Sequence, residues 1–150
     1  MNSFIYRITF FKSTQELNDD YDRLSENEKE KIANIDAESF FDYEEMDTYT
    51  CFLISSPLEL SKYLKVLSDN FISHQLEDLS QQILKSEFVI SKELDSRINS
   101  LNSIKYNFFK DDVDKWILSN LDIDTVLDRI SKVGIDGLNE IEKTYLKQYN

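Results

Sequence analysis

The 150-residue sequence has one cysteine, one histidine, one proline and two glycines, and it is short of basic residues. Cys51 has no partner for an internal disulfide, and its place inside an apolar run predicts an inert, buried thiol in a reducing compartment. A Ser–His–Asp or Cys–His site would have to use His74, which lies between Ile72 and Leu76 with no nucleophile marked beside it. Cys51 and His74 together supply too few soft ligands for zinc. With only Gly134 and Gly137, the chain offers no phosphate-cradling loop and no dinucleotide fingerprint. No cofactor is expected. No run reaches about 18 apolar residues, and Met1 to Arg7 lacks a basic stretch leading into an apolar one. The expectation is a cytoplasmic protein without membrane insertion.

Lys and Arg number 17 against 29 Asp and Glu, a formal charge of −12. Phosphate backbones and anionic membranes are repelled at long range and basic surfaces attracted, so direct nucleic-acid binding is not expected. Apolar residues make up 41% and aromatic residues 13% of the chain. A chain of this length buries about 70% of its unfolded surface, enough to fold without disulfides or metal.

The pattern along the chain predicts an α+β protein. Ser3 to Phe11 alternates Phe4, Tyr6, Ile8 and Phe10 with a mixed second face, which is a strand covered mainly on one side. Ser13 with Glu16 and Ser25 with Glu28 each spell a capping box before a short helix, the first carrying Leu17, Tyr21 and Leu24, the second Ile32 and Ile35. Thr48 to Ser55 reads as a strand. Ser56, Pro57 and Glu59 then open a helix with Leu60, Leu64 and Leu67 on one stripe, and Asn70 is a left-handed stop before a strand from Phe71 to Leu76. If the two strands are parallel neighbours, this is a right-handed βαβ unit, with the first strand beside it in a small mixed sheet covered by helices.

Asp78 with Gln81 suggests a further short helix, and Ser91 to Lys105 a polar helix bearing Leu94, Ile98 and Leu101. The polar density there places a boundary near Ser91, giving a sheet domain over 1–90 and a helical subdomain over 91–150. Three stripes follow: Phe109, Val113, Trp116, Ile117 and Leu121; Ile123, Val126, Leu127, Ile130 and Val133; Ile141, Tyr145, Leu146 and Tyr149. Gly134 is expected as a left-handed C-cap with Ile135 folding back on Ile130, and Asn139 with Glu142 as a capping box. A C-terminal three-helix subdomain results.

Two stretches resemble known families. Val126 to Leu146, with its Ile130-Ser131 step, Gly134 and Leu138, resembles a short module appended to some bacterial rhomboid-family proteins, departing from it at Gly137-Leu138-Asn139 where the module has Ser-Leu-Thr. That implies a helical docking element and no proteolysis. The strand–helix–strand around Ser56-Pro57-Leu58-Glu59 and Asn70-Phe71-Ile72 is similar to small prokaryotic signal-transducing domains with a ferredoxin-like or PII-like half.

Asp36 to Asp47 carries six acids, no Lys or Arg, and the interleaved Phe40, Phe41, Tyr43 and Met46. It reads either as a connecting loop whose aromatics plug the core or as a docking surface for a basic, partly apolar partner. Contact would fall on Phe40, Phe41, Tyr43, Glu44 and Glu45. Asp122-Ile123-Asp124-Thr125 spells the start of a phosphatase signature in a helical setting, where helix capping is the simpler role. Asp111, Asp112 and Asp114 lack the ligand spacing of a calcium loop. The chain is therefore expected to be a non-enzymatic protein-interaction or regulatory module, with an antitoxin or immunity protein against a basic toxin, or a small-ligand sensor, as the alternatives.

Overall fold

A computed structural model of the chain describes residues 1–33 and 39–149, which fall into two compact units, Met1–Leu79 and Ser80–Asn150. Ile35, Asp36 and Glu38 lie outside the described residues. The division precedes residue 80, where the sequence pattern placed it near Ser91; residues 80–90 contribute the buried Ile83, Leu84 and Ile90 to the helical unit.

In the first unit the elements run β1 (Phe4–Phe10), α1 (Thr14–Asp22), α2 (Glu26–Ala33), β2 (Ser39–Glu45), β3 (Thr48–Ser55), α3 (Pro57–Asp69) and β4 (Gln75–Asp78). Ser13, Ser25 and Ser56 each accept the amide three residues on, so the three predicted N-caps form. The α+β class is observed, with one four-stranded sheet in the order β2-β3-β1-β4. Its three pairings are all antiparallel, so the sheet is not mixed. β3 and β4 run parallel, as expected of a βαβ unit, but β1 lies between them. With α1 and α2 together in the first crossover and α3 in the second, the strand order follows a split βαβ arrangement.

Pairing of Phe10 with Tyr49, Ile8 with Cys51 and Tyr6 with Leu53 puts these side chains on one face. There they pack with Leu17 of α1, Leu24 just after it, Ile32 of α2, and Leu60 and Leu67 of α3. Within this layer the Tyr21 and Tyr63 hydroxyls share a hydrogen bond of 2.6 Å. The second face carries a register row across all four strands, Glu77, Arg7, Phe52 and Phe41. The Arg7 guanidinium pairs with Glu77, its Nε at 2.7 Å, and stands 5.8 Å from the Phe52 ring centroid. Ile5, Phe41, Phe52 and Ile54 are buried on this face too. Burial on both faces explains why β3 reads as an almost unbroken apolar run.

α3 ends differently from the expectation. Asn70 is not left-handed; its side-chain amide donates to the Val66 carbonyl and to Glu28. Phe71 takes the left-handed position at φ 57°, and the amides of Phe71 and Ile72 return to Ser68 and Leu67 as a Schellman motif. The residues after it stay irregular until Gln75, so the strand begins later than Phe71.

The second unit contains α4 (Ser80–Leu84), α5 (Ile90–Leu94), a 3₁₀ turn (Asp95–Arg97), α6 (Ser103–Asn120), α7 (Ile123–Val133), a second 3₁₀ turn (Ile135–Gly137) and α8 (Glu140–Gln148). The polar helix expected over 91–105 is absent: α5 ends at Leu94, and Leu101 is almost fully exposed. The three later helices form as predicted, and α6 packs against α4 and α8. Asn139 and Glu142 complete a reciprocal capping box on α8. Gly134 has φ 76° and ψ 166°, so it ends α7 at positive φ without the left-handed C-cap geometry, and Ile135 stays 65% exposed instead of folding back.

Candidate functional site

The acidic stretch forms a strand at the sheet edge, where a loop was one of the two expected readings. β2 and β3 make a hairpin in which Glu45 pairs with Thr48, leaving Met46 and Asp47 as its two-residue turn. Met46 sits at φ 57°, a turn position usually given to Gly, Asn or Asp, and its side chain is 89% exposed.

β2 distributes the five expected contact residues between opposite faces. Phe41 has no exposed surface. Tyr43 is half-buried, with its ring stacked on Phe52 at a centroid distance of 6.5 Å. Phe40 is 49% exposed, and Glu44 and Glu45 are exposed. Glu44 nevertheless has a structural task, since its Oε2 accepts the Thr14 amide at 2.7 Å, one of the open donors at the start of α1. Asp42 likewise accepts the Tyr49 hydroxyl, and burial followed by that bond holds the phenol well above its ordinary range.

The remaining surface is Phe40, Glu45, Met46 and Asp47. Sequence reading named Met46 among the interleaved apolar residues but did not select it, because turn geometry, the feature that exposes it, depends on a register that composition does not reveal. Two further exposed aromatics stand at the same end of the sheet: Phe11 directly follows Phe10, the partner of Tyr49, and Phe71 shortly precedes Gln75, the partner of Thr9.

The bond from Thr14 to Glu44 has a pH consequence. It holds the Glu44 carboxyl below the usual glutamate range. A carboxylate depressed in the folded state contributes stability above its unfolded pKa and loses it as pH falls through the folded value. Glu44→Gln is therefore expected to flatten the stability–pH curve below about pH 4.5, measured by urea unfolding across pH 3–7; an unaltered acid limb would show that the bond adds nothing.

Comparison with family models, with curated proteins and with solved structures finds no match to this chain. Its chemistry is thus read from its own residues. His74 is half-buried, with Nδ1 2.9 Å from the Ile72 carbonyl and its ring beside Phe10. Cys51 is half-buried on the helix-covered face. Asp122 is the N-cap of α7, accepting the Thr125 amide at 2.8 Å, and this bond lowers its carboxyl pKa. The phosphatase-like spelling therefore lies at a helix start, directly after another helix. Among the described residues no group of three His, Cys, Asp or Glu side chains could hold a metal ion, and no helix is long and apolar enough to cross a membrane.

Proposed function

We propose that this chain is a non-catalytic protein-interaction module whose partner presents a basic, partly apolar surface to the tip of the β2–β3 hairpin. The observation that carries this reading is Met46, an apolar side chain held out at a positive-φ turn position between Glu45 and Asp47. Strain at a non-glycine turn residue gains nothing from burial here, so presentation of the side chain is its use. The net charge of −12 supports fast, steered capture of a cation-rich partner, and a toxin-neutralising role is the form of this function that such charge favours. The split βαβ connectivity supports a likeness to signal-transducing domains, and a lone half-buried thiol supports a cytoplasmic setting.

The test is capture of partners by the tagged chain at low and high salt, beside the double variant Glu45→Lys, Asp47→Lys and the single variant Met46→Ser. A basic partner held by the parent, released by salt, and bound at least about tenfold more weakly by both variants is expected. Equal capture by parent and variants would remove the hairpin tip as the contact surface. Glu44 is left intact because its loss would also disturb α1.

A further inference from the structure

The second unit contains a half-open cleft of about 260 Å³ between α6, α8 and the residues that join α4 to α5. Its walls are Ile83, Phe88, Val113, Ile117 and Ile141, so most of its surface is apolar. Two charged side chains of opposite sign, Lys110 and Asp114, line it one helical turn apart on α6. That spacing lets side chains meet as an ion pair, yet none joins these two, and neither makes a hydrogen bond with any described residue. Glu140, also on the cleft, is turned largely to solvent and paired with Lys143 at 3.6 Å.

Apolar walls with a few convergent polar groups are the usual composition of a small-molecule site. This one is small for a nucleotide or an extended cofactor. The exposed Lys110 and the half-buried Asp114, which feel each other's charge without a direct ion pair, stand one turn apart above an apolar floor and match a ligand carrying both charges on one carbon and an apolar body beyond it. We infer that the cleft binds an apolar α-amino acid as its zwitterion, the ammonium on Asp114, the carboxylate on Lys110, and the side chain among Phe88, Ile117 and Ile141. Burial raises the Asp114 carboxyl above its ordinary range, with Lys110 opposing and Asp111 adding to the rise. A carboxylate so desolvated gains from a cation brought by a ligand.

Isothermal titration of the full chain with L-leucine and L-phenylalanine tests the assignment, with isopentylamine and 4-methylpentanoate as one-charge controls and with Asp114→Asn and Lys110→Gln checked for folding by circular dichroism. Asp114 and Lys110 make no hydrogen bond or ion pair, so both near-isosteric variants keep the fold. Saturable binding of at least one amino acid is expected, weakened about tenfold or more by either variant and by loss of either ligand charge. Absence of heat with both amino acids at 10 mM, roughly the weakest affinity a site of this kind would serve, overturns the inference. So does binding that survives Asp114→Asn, or an amine that binds as tightly as the amino acid.

Discussion

Replacing Arg129 by alanine is expected to destabilise the second unit by about 3–5 kcal/mol, the usual consequence of removing one member of a buried ion pair. Arg129 stands in the middle of α7 and donates from Nε to Glu142 Oε2 at 3.0 Å, across the turn that contains Gly134 and Gly137. The Glu142 side chain is 2% exposed and that of Arg129 19%. Glu142 Oε1 is already committed to the Asn139 amide at 3.0 Å. Without Arg129 the carboxylate keeps its burial and its cap but loses the cation that offsets its desolvation. Urea unfolding followed by the fluorescence of Trp116, the sole tryptophan, reads the effect. Adding Glu142→Gln to Arg129→Ala should recover much of the loss, because the neutral amide oxygen still accepts from Asn139. A shift below about 1 kcal/mol in the single variant would place this pair with exposed surface pairs.

The second large effect is expected at Phe10. Phe10→Ala should cost about 3–5 kcal/mol, the range found when a buried aromatic leaves a cavity. Its ring is fully buried on the helix-covered face, 5.9 Å from the Tyr49 ring and 6.3 Å from that of His74. β1 is an inner strand, so neighbours on both sides prevent the backbone from collapsing into the space. Phe11→Ala, one position on, removes a ring that is 66% exposed and should change stability by no more than about 0.5 kcal/mol. Denaturation monitored by far-ultraviolet circular dichroism separates the two; equal effects would mean that β1 does not present its side chains as described.

What was legible in the sequence was local. Ser13, Ser25, Ser56, Asp122 and Asn139 all cap the helices they precede, because a cap is decided within four residues. The leucine stripe of α3 and the aromatic stripe of α6 follow from helical period alone. What was not legible depended on partners distant in sequence. Nothing in β3 or β4 signals that β1 will lie between them. The alternation in β2, with Phe41 and Tyr43 on one face and Asp42 and Glu44 on the other, was hidden by two acids that serve Tyr49 and Thr14 instead of a partner. Leu94, Ile98 and Leu101 kept a helical spacing, but the helix stops at Leu94 and Leu101 lies outside any packed face. The candidate site was legible as a region. That Met46 and Asp47 form the exposed turn while Phe41 is buried required the register.

The inner position of β1 also governs how the sheet assembles. The β2–β3 hairpin closes through two residues, but β1 must find position 55 from position 4 and position 78 from position 6. Each such closure fixes a long loop before its contacts form, so the pairing of β1 is expected to lag behind the docking of neighbours in sequence such as α7 and α8. Until β1 docks, one side of β3 and the whole of β4 lack their pairing strand. That interval is when the chain is most open to strand association with another copy of itself.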